Sequence, residues 1–206
     1  MLPDLHPRFT TWCLNLGATP SAATALWLSL EAYYSGPHRH YHHLGHIAFS
    51  LAEMDRCHAQ DPALEGAIWF HDLIYDPHRS DNEDASREWF VSHTQAWLDP
   101  SLVTRISQLI DVTDFRKPRD DSDPLAALMV DIDLAILSAP PVDYDAYTAA
   151  IRREYAHVPD EAFRKGRSAV MAGFLTKPIY RTAFFTPREN QARDNITREL
   201  EQLAAS

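Results

Sequence analysis

The stretch Ala67-Ile-Trp-Phe-His-Asp-Leu-Ile-Tyr-Asp76 reads as an apolar helix interrupted by two adjacent polar residues, His71 and Asp72. An ionised carboxylate among Trp69, Phe70, Leu73 and Ile74 is costly unless a cation or several donors face it. Imidazole and carboxylate side by side favour a borderline divalent ion such as Zn, Mn, Fe, Co or Ni.

Outward from this stretch, the apolar spacing stays helical. Upstream, residues 21–34 (SAATALWLSLEAYY) form one helix, broken by Ser-Gly-Pro at 35–37. With Pro37 in its first turn, the next helix is predicted from about His38 to Ala59, burying Leu44, Ile47, Ala48, Leu51 and Met54. A third helix follows Asp61-Pro62 and is predicted to end near Asp76-Pro77. Downstream come a polar loop at 76–84, helices over 85–97 and around Leu102 to Ile110, and a charged loop, FRKPRDDSDP, at 115–124. Residues 125–137 are apolar almost throughout, the pattern of a buried helix, and residues 144–155, 162–175 and 189–203 complete the set.

The expected fold is therefore all-α, a single domain over residues 1–206, with a core over about 21–140 and the helices of 144–203 packed on it. Six Gly against 14 Pro in 206 residues agree with helices separated by Pro-marked connections.

With 45% hydrophobic residues the chain can bury a core, which excludes disorder. A net charge of −10 argues against a general affinity for duplex nucleic acid. Apolar runs such as Ala126 to Val130 are far shorter than the roughly 20 residues that span a bilayer, and the start shows no signal peptide. The expectation is a soluble cytoplasmic protein with no membrane partner. The two cysteines, Cys13 and Cys57, make neither a disulfide framework nor a zinc spacing.

Five of the 11 histidines, His38, His40, His42, His43 and His46, fall within nine residues. On the helix predicted from about His38, His42 and His46 lie about 40° apart and point the same way, and His38 can join them, while His40 and His43 point elsewhere. Two further carboxylates, Asp131 and Asp133, interrupt the apolar run MVDIDLAIL at 129–137. Their directions differ by about 200° on a helix, so one of the two is expected to bind. His46, His71, Asp72 and one of these aspartates make a four-ligand nitrogen and oxygen set drawn from three helices.

This order, His, then His-Asp, then Asp, resembles the HD superfamily of metal-dependent phosphohydrolases. It is most similar to a bacterial group described as predicted metal-dependent HD phosphohydrolases. The matching segments are RHYHHLGHI at 39–47, AIWFHDLIYD at 67–76, DNEDAS at 81–86, VDIDLAIL at 130–137, IRREY at 151–155 and KGR at 165–167. The resemblance implies an HD-domain helical bundle holding one or two divalent ions (Mn, Zn, Fe, Co, Ni or Mg). His46, His71 and Asp72 would be ligands, with Asp131 or Asp133 as the distal one.

YHHLGH also resembles the YHNxxH of cyclic-nucleotide phosphodiesterases, which implies His42 as the proton donor to the leaving oxygen. His43 stands in place of that Asn. The implied reaction is cleavage of a phosphoester by metal-bound hydroxide, with Asp72 able to bridge two ions. Asn82 and Glu83, in the polar loop that follows, can orient water, bind a second ion or simply cap the next helix at Asp81 or Asn82. Arg39, Arg152, Lys165 and Arg167 are candidates for the phosphate oxygens.

The expected partner is a small phosphorylated substrate or nucleotide, and the sequence is compatible with a homodimer. Two other readings fit the same residues: a non-catalytic metal- or nucleotide-binding regulatory module, and a di-iron oxygenase on the same fold. The latter needs further His ligands between the His-Asp pair and the last Asp, where only His78 and His93 lie.

Overall fold

The computed structural model describes residues 5–117 and 122–205. Among them are ten α-helices, two short 3-10 helices and no strand, so the fold is all-α. By its contacts the chain groups into two compact units, Met1–Met129 and Val130–Ser206.

The first unit contains α1 (Leu5–Asn15), α2 (Pro20–Tyr34), α3 (Leu44–Arg56), α4 (Pro62–Phe70), α5 (Asn82–Thr94), α6 (Pro100–Asp111) and the start of α7 (Pro124–Asp133). Proline marks several of the helix starts. Pro20, Pro62 and Pro100 each stand in a first turn, where the missing N–H costs nothing. Thr19, Asp61 and Asp99, each one residue earlier, accept a backbone N–H with their side chains.

α4 is the centre of this unit. All of its residues except Pro62 and Glu65 are buried, the signature of a helix surrounded by others. Trp69 and Phe70 are fully buried and meet Phe9 of α1 at ring distances of 5.2 and 6.0 Å. Phe70 also meets Phe90 of α5 at 5.1 Å. Each such aromatic contributes about 1.5–3 kcal/mol by leaving water. Gly66 lets α4 approach its neighbours: a Cβ there would lie 2.7 Å from Ile106 Cδ1 and 2.8 Å from Trp12 Cζ2.

The second unit holds the end of α7, a 3-10 turn (Leu134–Ser138), α8 (Pro141–Glu154), α9 (Asp160–Leu175), a short 3-10 helix (Thr186–Arg188) and α10 (Glu189–Ala205). Its polar core is specific. Asn195 of α10 donates to the carbonyls of Leu137 and Ala139 at 2.9 and 2.8 Å, and Tyr180 donates to that of Leu134 at 3.0 Å. Glu199 accepts from the hydroxyl of Tyr144 and from Arg167 Nε at 2.7 Å.

Two boundaries and one element differ most from the sequence reading. α3 begins at Leu44, not His38: His43 is extended (φ −124°, ψ −178°) and its Nδ1 accepts the Gly45 N–H at 2.8 Å, so an imidazole caps the helix. α4 ends at Phe70, because the chain beyond is drawn onto α5 by Ser86, whose hydroxyl accepts the Ile74 N–H (3.0 Å) and donates to the Ile74 carbonyl (3.2 Å). α1 was not anticipated; its buried face is Leu5, Phe9, Trp12 and Cys13. Of the charged stretch at 115–124, residues 118–121 lie outside the described residues. Among the described residues, no single helix is long and apolar enough to cross a membrane.

Candidate metal centre

His46 enters from the first turn of α3, and His71 and Asp72 come from the end of α4. The two Nε2 atoms are 3.1 Å apart, and Asp72 Oδ2 lies 3.4 Å from His46 Nε2 and 3.0 Å from that of His71. His46 and His71 are buried, while Asp72 keeps 17% of its side chain exposed.

His71 Nδ1 lies 3.1 Å from the Ile68 carbonyl, which can only accept, so the ring proton is on Nδ1 and the Nε2 lone pair faces the cluster. Burial opposes the charge on Asp72, yet the imidazoles of His71, His42 and His46, when protonated, hold its carboxyl below the usual carboxylate range. Two nitrogens and an anionic oxygen thus converge, with one tautomer already set by the backbone. The donor set fits a divalent ion of borderline softness.

The end of α4 that carries these residues is closed without a glycine. The Ala67 carbonyl takes the His71 N–H, and the Ile68 carbonyl takes the His71 ring. The Trp69 carbonyl takes the Tyr34 hydroxyl at 3.0 Å, and that of Phe70 takes the Leu73 N–H at 3.2 Å. A candidate ligand is therefore also a cap.

His42 is not on α3, so the helical i, i+4 argument does not place it. It stacks on Tyr75 (4.1 Å, 26°), edges onto Tyr41 (5.0 Å), and keeps its ring 6.0 Å from that of His46. Tyr75 was not singled out by sequence. Its carbonyl also bonds His38 Nε2 at 2.9 Å.

Arg39, expected at the phosphate, is buried and turned to the backbone. Nη1 donates to the carbonyls of His42 (2.7 Å) and Asp72 (2.8 Å), and Nη2 to that of Leu73 (2.6 Å), with Tyr34 and Tyr75 under the guanidinium. It positions His42 and Asp72. Fivefold donor geometry suits three carbonyls as well as a phosphate, and residue type alone does not separate the two.

Asn82 and Asp76 exchange two bonds of 3.0 Å, pinning the 76–82 loop. Glu83 follows Asn82 at the start of α5. Burial pushes its carboxyl up, and the charges of Asp114 and Asp72 push it the same way. Arg116 Nη2 lies 3.3 Å from its Oε2.

In the second unit, Asp131 does not fit the ligand role. Its Oδ1 takes the Arg181 N–H at 3.1 Å, and its Oδ2 takes the Thr182 N–H and hydroxyl, both at 2.7 Å. Asp133, two residues on, is half-buried.

Arg152 is taken up by the carbonyls of Tyr155 and Val158 and by Asp160, and Arg167 by Glu199 and the Tyr147 hydroxyl. Lys165 is exposed on α9. His78 pairs with Asp76 and His93 stacks on Trp89, so both are engaged locally.

Comparison of the chain with protein-family models, with curated proteins and with solved structures gives no match.

Proposed function

We propose that the protein is a metal-dependent phosphohydrolase of the HD type, acting on a phosphoester of a small molecule or nucleotide. The observation that carries the reading is the convergence of His46 Nε2, His71 Nε2 and Asp72 Oδ2 with the His71 tautomer fixed by Ile68.

Following the resemblance, which implies one of the two aspartates, Asp133 is assigned as the fourth donor. In its support, Asp131, the other carboxylate of that segment, has both oxygens committed to residues 181–182. A divalent ion held by such a set supplies Lewis acidity, making water a nucleophile near neutral pH and screening phosphate charge.

The side chains around it divide the remaining work. Asp72, kept ionised, repays the burial of a cation. His42 is held by its stack on Tyr75 and by the Arg39 bond to its carbonyl, and is assigned as the proton donor to the leaving oxygen. Imidazole suits that role because it exchanges protons near neutral pH. Glu83 is assigned to orient water, and Arg39 acts by holding the backbone of His42 and Asp72.

The test is metal analysis of purified protein followed by a phosphate-release screen over nucleotides and sugar phosphates. Wild type is expected to retain a divalent ion and release phosphate from at least one substrate. His71→Ala and Asp72→Ala are expected to lose both. Retention of metal by both variants would sink the assignment of the centre; metal without turnover of any phosphoester would favour a regulatory binding module.

A further inference from the structure

We infer that Arg116 is the side chain that takes hold of a phosphate group presented to the metal centre. The inference rests on the proposed reading of that centre and names a residue that the sequence left in a charged loop.

The path to it runs through α5. Ser86 grips both polar backbone groups of Ile74, which sets the first turn of α5 against the chain just beyond Asp72. Glu83, three residues before Ser86, lies on the same helix face and is turned to the same side. Arg116 reaches Glu83 at 3.3 Å, which places its guanidinium beside that first turn of α5.

That guanidinium is held by one edge. Nε lies 2.7 Å from Asp114 Oδ1 and Nη2 3.0 Å from Oδ2, a two-pronged pair with a carboxylate that is itself only 3% exposed. The Arg116 side chain nevertheless remains 54% exposed. Among the described residues Nη1 has no hydrogen-bond partner. A planar fork fixed along one edge and open along the other is prepared for a second two-pronged acceptor, and phosphate has that geometry.

The long contact to Glu83 is the one a phosphate oxygen would displace. A cation is also needed here, because Asp72, Glu83 and Asp114 would otherwise repel a phosphate. Lys117 differs: it bridges Asp84 and Asp111 at 2.8 and 3.4 Å, in the seam between α5 and α6, and lies 3.7 Å from Asp114 without the planar fork.

The experiment loads full-length protein with one equivalent of Mn²⁺ and titrates it with inorganic phosphate by calorimetry, with metal content and melting temperature measured on every variant. Arg116→Gln is expected to keep its metal and melting temperature and to bind phosphate at least tenfold more weakly. Arg116→Lys, which keeps the charge without the fork, is expected to fall in between and covers the case in which the glutamine variant misfolds. Lys117→Gln is expected to bind like wild type.

Metal-loaded Arg116→Gln binding phosphate within twofold of wild type overturns the inference. So does a metal-loaded wild type that binds no phosphate, with the metal centre left standing. Failure of wild type to take up metal overturns the centre itself, and the inference with it.

Discussion

The guanidinium of Arg39 donates to three buried or part-buried backbone carbonyls, so replacing it takes a charged donor from each of them. Arg39→Met is expected to destabilise the protein by about 2–5 kcal/mol, read as a lowered urea midpoint, because buried acceptors lose charged partners. It should also weaken metal binding, since the backbones of His42 and Asp72 are no longer tied to one group. At this scale the sequence made His71 and Asp72 legible, because polar pairs inside an apolar run demand a partner. It misdirected His42, because the i, i+4 argument assumes a helix, and His43 caps α3 only after His42 has passed. Asp131 and Asp133 could not be separated by spacing; what separates them is a pair of backbone N–H groups fifty residues away, at Arg181 and Thr182.

Among elements, α4 is the most constrained, and Gly66 is where its packing is tightest. Gly66→Ala gains helix propensity on paper but pushes a methyl against the ring of Trp12 and the end of Ile106. Overpacking should win, at a net cost of about 1–3 kcal/mol, visible as a lower melting temperature.

The start of α7 offers a test in pH. Asp123 takes the N–H groups of Leu125 and Ala126 and pairs with Arg105 at 2.5 and 2.7 Å; the Arg105 bond, working against burial, lowers its carboxyl to about 2 from an ordinary 3.8. The folded pKa is the lower one, so this stabilisation is complete above the unfolded value and is lost as pH falls towards 2. Asp123→Asn should therefore be less stable than wild type at pH 5, with a gap that narrows as the urea titration is repeated at lower pH. The helices were legible from periodicity, while their ends were not, because α3 starts where the His43 imidazole caps it and α4 stops where Ser86, from another element, captures the backbone.

For the whole molecule, a candidate cation site made partly of helix-capping residues would link metal binding to folding. A divalent ion at a hundredfold its dissociation constant should add about 2.7 kcal/mol to stability, raising the melting temperature reversibly, with chelator restoring the lower value. His71→Ala should show no metal-dependent shift. Composition foretold the all-α class through its prolines and few glycines. It also drew attention to the dense histidine segment, of which His46 alone belongs to the convergent donors; carboxylates that composition does not mark supply the charge.

The four occupied carbonyls at the end of α4 have one more consequence, for engineering. Tyr34, Leu73 and the His71 ring hold that end from sides other than the helix's own start. The connection before the helix, residues 57–60, is a surface turn in which His58 adopts a left-handed φ of 53°. Extra residues inserted there are taken up by the turn and do not shift the register of α4, which makes the 57–60 turn a place to graft an epitope or a fluorophore while the donor geometry stays intact.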